Sequence, residues 1–151
     1  MSGSALLAEN KKARFDYEVL KKFEAGLVLK GSEVKSMRAK QIHFKDAYVS
    51  IKNGEAFLVK LEVSPYVMAN IHNHEPNRTR KLLLNKREII QIESQLTERG
   101  LTCVPLRIFL KAGKIKAEIA LVRGKKQQDK RQDIKKRHES HEISRALKFS
   151  K

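Results

Sequence analysis

The chain has 151 residues, enough for one domain of about 120 residues and a tail. Its 33 Lys and Arg against 17 Asp and Glu give a formal net charge of +16, which favours a nucleic-acid partner over an anionic membrane. The single cysteine, Cys103, excludes an intrachain disulfide. The apolar run at 5–8 is too short for a signal peptide, and no stretch reaches membrane-spanning length, so we expect a soluble protein of the reducing cytoplasm.

The first predicted elements are a strand and a short helix. Residues 15–29 are typical of a strand in which Gly26 marks a bulge or bend. A short helix is predicted to begin at Ser32, with Val34 and Met37 facing inward.

A β-hairpin follows. The dipeptide Asn53-Gly54 readily takes the two positive φ angles of a type I′ turn, so we expect it to join strands at 48–51 and 56–63. The second strand alternates with period two, which predicts that one face is buried. The residues expected on that face are Phe57, Val59, Leu61 and Val63.

The long helix has the clearest boundaries. Asn85 is a capping residue and Glu88, three residues later, is its capping-box partner, while Leu84 and Ile89 are spaced as a hydrophobic staple. Gly100 is expected to end the helix.

A second hairpin at 106–110 and 115–122 turns at Ala112-Gly113. Short antiparallel strands with a helix before the last pair are typical of a mainly β, α+β protein. The prediction is a closed antiparallel barrel, OB-fold-like, with flanking helices. This RNA-binding body is assigned to residues 1–122.

Residues 123–151 form a basic tail. They contain 11 Lys and Arg, 4 Asp and Glu, and few apolar side chains. Burial in such a segment is too small to offset its ordering entropy, so we expect disorder until a polyanion holds it. Ile143 and Leu147 have helical spacing, which predicts an amphipathic helix when the tail does order.

The sequence predicts neither catalysis nor a bound metal. The pairs His72 with His74 and His138 with His141 lack the spacing of a zinc-protease motif, and one cysteine cannot complete a zinc site. His72 and His74 are expected to be solvated in a loop. No glycine pattern that cradles phosphates is present, so no catalytic residue, metal or cofactor is assigned.

Six short blocks occur in order between residues 10 and 131. They are Asn10-Lys11-Lys12-Ala13, Gly31-Ser32-Glu33-Val34-Lys35-Ser36, Ser64-Pro65-Tyr66, Arg78-Thr79-Arg80-Lys81-Leu82-Leu83-Leu84, Val104-Pro105-Leu106, and Gly124-Lys125-Lys126 with Asp129-Lys130-Arg131. Together with the chain length, these blocks resemble the small protein B (SmpB) family, the SsrA-binding proteins of bacteria.

The resemblance implies an adaptor without an active site. Such proteins have an OB-fold barrel and bind the tRNA-like domain of transfer-messenger RNA. They accompany the charged RNA to stalled ribosomes, where the tail enters the empty mRNA channel near the small-subunit decoding centre and folds there. Elongation factor Tu is a further partner implied in the charged-RNA complex, and no membrane is involved.

The resemblance also implies the RNA-binding residues of the body. The alternatives from the residues themselves stay open: Glu33 either complements a helix dipole or accepts hydrogen bonds from a base, and Asn10 either forms a turn or contacts a base. Of Leu82 and Leu83, at least one is expected in the core, and the other could pack on RNA. The implied residues are Asn10, Lys11, Lys12, Glu33, Lys35, Ser36, Arg38, Arg78, Arg80, Lys81 and Leu83.

In the tail the resemblance implies contacts with the ribosome. Gln128 occupies a position where the family usually has a ring, and an amide stacks less strongly on a base. Asp129 could order the arm by pairing with a cation. The tail residues implied are Lys125, Lys126, Gln128, Asp129, Lys130, Arg131, Ile143 and Leu147.

Three rival functions remain open at this stage. A ribosomal or initiation-factor-like protein would bind ribosomal RNA without preferring a tRNA-like elbow. A membrane-surface protein would use the basic tail on anionic lipid, although that tail has no Trp. An enzyme would need a nucleophile, base or metal set that the sequence lacks.

Overall fold

A computed structural model describes residues 4–66 and 73–124. The predicted tail from residue 125 onward, including all of its implied ribosome contacts, lies outside the described residues, as does His72. The elements in chain order are β1 (Ser4–Glu9), α1 (Lys11–Asp16), β2 (Tyr17–Leu27), α2 (Gly31–Arg38), β3 (Ile42–His43), β4 (Tyr48–Lys52), β5 (Glu55–Val59), β6 (Glu62–Val63), β7 (Arg80–Leu83), α3 (Lys86–Glu98), β8 (Thr102–Lys111) and β9 (Lys114–Gly124).

Seven strands form one antiparallel sheet in the order β1-β8-β9-β2-β7-β5-β4, and β3 pairs with β6 in a separate two-stranded sheet. The predicted α+β class, mainly antiparallel with few helices, is therefore confirmed. The predicted closed barrel is wrong. β4 packs against β8, but β8 is already hydrogen-bonded to β1 and β9, so β4 remains an edge strand.

The N-terminal region differs most from the prediction, because β1 and α1 were not expected. Asn10 caps α1: its side-chain oxygen accepts from the Ala13 backbone N–H at 3.1 Å, and its amide donates to the Pro105 carbonyl at 2.9 Å. The predicted strand 15–29 therefore begins later, at Tyr17. Its irregularity lies between Val19 and Lys21 rather than at Gly26.

Gly26 instead allows two strands to approach closely. At Gly26 the strand β2 is paired on both sides, with Lys116 of β9 on one side and with Leu83 of β7 on the other. A Cβ on Gly26 would lie 3.3 Å from the Cβ of Leu83. A larger residue would push the side chain of Leu83 away from this position.

The first hairpin turns where predicted, with φ of 54° at Asn53 and 75° at Gly54. Its predicted buried face is wrong within β5, where Ala56 and Leu58 are the buried residues. The strand ends before Lys60, whose φ of 67° breaks the alternation. Because of this break, even-numbered positions are buried before Lys60 and odd-numbered positions after it. The expected residues Leu61 and Val63 are therefore buried.

Both predicted helices are confirmed. α2 begins one residue earlier than expected, and Met37 is fully buried. In α3 the capping box is present: Asn85 accepts from the Glu88 N–H at 2.9 Å, and Glu88 accepts from the Asn85 N–H at 3.1 Å. The chain leaves α3 through Gly100, whose φ is +64°.

The second hairpin is confirmed, with positive φ angles at Ala112 and Gly113. Its last strand continues through Arg123 and Gly124, the first two residues assigned to the tail. Cys103 is buried as expected, and burial raises the pKa of its thiol to about 12. Within the described ranges no helix is long and apolar enough to cross a membrane.

Candidate nucleic-acid interface

Glu33, the third residue of α2, is fully buried and lies at the centre of an ion network. Its Oε1 accepts from Arg78 Nη2 at 2.6 Å and from the Lys30 backbone N–H at 2.8 Å. Its Oε2 accepts from Arg78 Nε at 3.0 Å and from Arg80 Nε at 2.8 Å. We call Glu33, Arg78 and Arg80 the Glu33 network.

Arg80 faces the interior rather than RNA. Its side chain is fully buried, and its remaining groups donate to the carbonyls of Leu61 at 2.7 Å, Arg78 at 2.9 Å and Pro76 at 3.1 Å. The family resemblance implied that Arg80 and Glu33 contact RNA, while the residues alone left open whether Glu33 complements a helix dipole or accepts hydrogen bonds from a base. The structure places both side chains away from solvent, because each supplies the charge that the other needs inside the protein.

The network keeps Glu33 ionised. Burial alone would raise the pKa of this carboxyl, but the hydrogen bonds from Arg78 and the Lys30 N–H, together with the charges of Arg80 and Arg78, lower it below its ordinary value. The hydrogen bond to Glu33 raises the pKa of Arg78. The Arg78 side chain remains 26% exposed, so it links the buried carboxylate to the surface.

His74 also contacts the start of α2, through Ser32. It is 4% exposed, which corrects the expectation of a solvated residue. Nε2 is 2.8 Å from the Val63 carbonyl, and Nδ1 is 2.8 Å from Ser32 Oγ. Because a carbonyl only accepts, Nε2 carries the proton in the neutral ring and Nδ1 accepts from the Ser32 hydroxyl.

α2 presents its cations on the outside. Lys35 and Arg38 are exposed, and Lys35 Nζ lies 5.5 Å from the centre of the Tyr66 ring. Ser36, which the resemblance assigned to RNA, is 1% exposed and therefore belongs to the packed side of the helix. Only part of this block can meet a ligand without rearrangement.

Two adjacent leucines of β7 lie on opposite faces of the strand. Leu82 is 1% exposed and lies in the core, whereas Leu83 is 53% exposed. Leu83 borders a groove of about 340 Å³ that Lys114 and Lys116 also line. This Leu83 groove is lined by Gly26, Leu27, Leu29, Val34, Leu83, Gly113, Lys114, Ile115 and Lys116.

The sequence predicted that Leu83 contacts RNA, but it did not predict the two lysines of the groove. Lys114 and Lys116 come from β9 and are brought to Leu83 by β2, which pairs with β7 on one edge and β9 on the other. Nothing local in the sequence signals that contact. Lys81 lies on the opposite face of β7 from Leu82, and its Nζ is 2.9 Å from Glu55 Oε2.

A second basic surface surrounds α1. Lys11 and Lys12 are exposed, whereas Asn10 is 7% exposed and occupied by its capping hydrogen bonds. Lys12 lies 3.7 Å from Asp46, beside a cavity of about 330 Å³ that Lys45 also lines. We call Lys11, Lys12 and Lys45 the α1 patch. Tyr17 and Tyr48 line the same cavity.

The implied residues thus fall into two places. Those of α2 and β7, together with Arg78, gather around the Glu33 network and the Leu83 groove, where β9 adds two lysines that the sequence did not predict. The α1 residues form their own patch. Among the residues the structure describes, no group of three or more His, Cys, Asp or Glu could hold a metal ion. Exposed lysines beside apolar and aromatic surface, on an α+β sheet, define the class of basic nucleic-acid-binding proteins.

Comparison with known proteins narrows that class. A sequence model described as SmpB protein matches residues 7–149. An SsrA-binding protein of Oleidesulfovibrio alaskensis is 50% identical over 146 residues, which cover 97% of this chain and 94% of the relative. One from Enterococcus hirae is 48% identical over 143 residues, which cover 95% and 93%.

A solved structure is also similar. It is described as "tmRNA-SmpB: a journey to the center of the bacterial ribosome", and it matches with a TM-score of 0.68 and 39% identity, covering 84% of this chain and 93% of the other. The chain belongs to the SmpB protein family. That membership confirms the resemblance seen in the sequence and the prediction that the chain is not an enzyme.

Proposed function

We propose that this chain binds transfer-messenger RNA, the SsrA RNA, and delivers it to stalled ribosomes for trans-translation and ribosome rescue. Its partners are that RNA and the ribosome, and its place of action is the cytoplasm. The observation that carries the proposal is the match to SsrA-binding proteins along nearly the whole chain. The two basic surfaces supply what such an adaptor needs to hold RNA.

We assign the tRNA-like domain to the Leu83 groove. An exposed leucine beside two lysines fits a nucleotide, since a base can lie on the apolar side chain while the cations meet its phosphate. Leu83 offers the apolar contact, and Lys114 and Lys116 the charge. Lys35, Arg38, Arg78 and Lys81 extend the cationic surface around α2 and β7.

The Glu33 network contributes to RNA binding by holding the side chain of Arg78 in place. Glu33 fixes the guanidinium of Arg78 through two hydrogen bonds, and Arg78 Nη2 also donates to the Val28 carbonyl at 3.1 Å. A guanidinium held this way presents its remaining exposed edge in one orientation. We therefore assign Glu33, Arg80 and Ser36 to holding the surface and Arg78 to contacting RNA.

The α1 patch is proposed as a second RNA contact. Lys11 and Lys12 carry the charge, while Asn10 fixes the helix that carries them. The tail is proposed to enter the mRNA channel of the small subunit, with Lys125, Lys126, Lys130 and Arg131 as its leading cations. Elongation factor Tu is proposed as a partner in the charged-RNA complex.

We also propose that the seven-stranded sheet is a variant of the OB arrangement. The packing of β4 against β8 supports this relation. The added β1 occupies the edge at which an OB barrel would close.

A competition assay tests the function. Labelled tRNA-like domain bound to the full chain would face excess ordinary tRNA or ribosomal RNA fragments at physiological salt. We expect the labelled RNA to stay bound, because the surfaces fit one RNA shape and not charge alone. Equal displacement by all competitors would contradict the proposal and leave a general RNA-binding protein.

A further inference from the structure

The block Ser64-Pro65-Tyr66 has no role in the RNA contacts proposed above, although it is one of the six blocks that resemble the SmpB family. Tyr66 is half-buried and lies after the end of β6. Its ring lies beside Lys35 of α2, with 5.5 Å between Nζ and the ring centre. The block therefore reaches the cationic surface that we assign to the tRNA-like domain.

Asn73 fixes the backbone of Tyr66. The side-chain oxygen of Asn73 accepts from the Tyr66 N–H at 3.1 Å and from the His74 N–H at 3.0 Å. The amide of the same side chain donates to the Tyr66 carbonyl at 2.9 Å. One side chain thus satisfies both backbone groups of Tyr66, as a neighbouring strand would. Tyr66 is therefore anchored although it lies outside any helix or strand.

His74 joins this anchored segment to α2. Its ring lies between Ser32 Oγ and the Val63 carbonyl, each 2.8 Å away. Ser32 and Lys35 are three positions apart on α2 and so are neighbours on the helix surface. The same turn of α2 that holds His74 therefore carries the lysine beside Tyr66.

The ammonium of Lys35 is available to a phosphate. Lys35 is exposed, and among the described residues it makes no ion pair. Its contact with the ring is weak, because an exposed cation gains little from an aromatic face at 5.5 Å. A phosphate can therefore bind the ammonium and leave the ring to a base.

We propose that Tyr66 stacks on an unpaired base of the bound RNA while Lys35 meets a neighbouring phosphate. An aromatic ring beside a cation is suited to single-stranded nucleotides, whose bases expose their faces. The ligand is thus an unpaired nucleotide of the tRNA-like domain, and Tyr66 is a specificity-determining residue of that site. This inference rests on the proposed function, because it uses the same surface.

Tyr66→Leu and Tyr66→Phe in the full chain test the stacking. Phenylalanine keeps the ring and lacks only the hydroxyl, whereas leucine keeps apolar bulk without a ring. We expect the leucine variant to bind the tRNA-like domain about tenfold more weakly, and the phenylalanine variant to bind within about twofold of the wild type. Equal binding by all three proteins, or equal losses in the two variants, would overturn the proposal.

The salt dependence separates stacking from a mere positioning of Lys35. Stacking releases no counterion, so Tyr66→Leu should lower the affinity at every salt concentration and leave the slope of log affinity against log salt unchanged. If Tyr66 only positions Lys35, the slope would fall as in Lys35→Ala, and the stacking assignment would be wrong.

A single tryptophan gives a direct signal of the stacked base. The chain has no Trp, so Tyr66→Trp places one reporter at the site, and stacking on a base should quench its emission. Leu6→Trp, at an exposed position of β1, is the matched control and should keep its emission when RNA saturates the protein. Equal quenching of the two variants, or none in Tyr66→Trp, would contradict the inference.

Failure of the proposed function would look different. In that case the wild-type chain would lose the labelled tRNA-like domain to ordinary tRNA in the competition assay, whatever residue occupies position 66. If the wild type keeps its preference and Tyr66→Leu binds equally well, the role of Tyr66 alone is wrong.

Discussion

The Glu33 network and the α1 patch are two basic regions that the sequence assigned to the same task, yet they hold charge in different ways. In the network, Glu33 and Arg80 are fully buried and satisfy each other. In the α1 patch, Lys12 is 71% exposed and its contact with Asp46 is 3.7 Å long. The comparison separates charges that hold a surface in place from charges that are available to a ligand.

The energetic consequences differ accordingly. An exposed ion pair contributes about 0–1 kcal/mol, because water and salt screen it. Removing one member of a buried pair leaves an uncompensated charge inside the protein. We therefore expect substitutions in the network to change stability first and substitutions in the patch to change affinity alone.

The largest expected effect is that of Arg80→Met. The change removes the buried cation beside Glu33 and leaves the carbonyls of Leu61 and Arg78 without their side-chain donor. We expect the free energy of unfolding in urea to fall by about 3–5 kcal/mol. Arg38→Met on exposed α2 surface is the control and should change it by less than about 0.5 kcal/mol. Equal effects of the two would remove the distinction.

Acid should weaken the network selectively. Because the pKa of Glu33 is lower in the folded protein than its ordinary 4.5, its stabilisation is present above 4.5 and is lost as the pH falls through the folded-state pKa. Glu33→Gln cannot lose this component. The difference in urea stability between the two proteins should be largest near neutral pH and shrink below pH 4.5. A difference independent of pH would contradict the ionised state of Glu33.

Leu83→Asp should reduce RNA affinity while leaving the fold intact. Leu83 is 53% exposed, so little core is lost, and the new carboxylate would repel phosphate. We expect about tenfold weaker binding of the tRNA-like domain, or roughly 1.4 kcal/mol, with unchanged urea stability. Leu6→Asp, at an exposed leucine of β1, is the matched control. Equal losses of affinity would remove the Leu83 groove from the RNA site.

The smallest expected effect is in salt dependence. Lys35→Ala should reduce the slope of log affinity against log salt by roughly 0.7–0.9 if its ammonium meets one phosphate. Lys52→Ala, an exposed lysine at the tip of the first hairpin, should leave the slope unchanged. A similar reduction of the slope in Lys12→Ala would show that the α1 patch also contacts this RNA. An unchanged slope would show that the patch does not contact it.

The parts of the fold that the sequence predicted are local. The Asn85–Glu88 cap spans four residues and the Asn53-Gly54 turn two, so each carries its own physical cause within a short window. The face of β5 was misassigned because one residue, Lys60, takes a positive φ and shifts the alternation. Lysine is not a residue type that indicates a positive φ, so nothing in the sequence signals this break.

The site was predicted less completely, because its chemistry depends on distant contacts. Glu33 and Arg80 are 47 positions apart, and only the pairing of β7 with β2 and β5 brings them together. A charged residue that is buried by such a partner looks the same in sequence as one that faces solvent. For the same reason Leu83 could be suggested as a contact but Lys114 and Lys116 could not.

The position of β9 in the sheet constrains how the protein is made. This strand lies between β8 and β2, and it pairs Tyr17 near the start of the body with Gly124 at its end. Pairing at such sequence separation is slow and cannot begin during early synthesis. A chain truncated before Lys114, as a broken message would yield, leaves both neighbouring strands with an open edge and little prospect of folding. A factor proposed to clear incomplete products would then depend on its own complete translation.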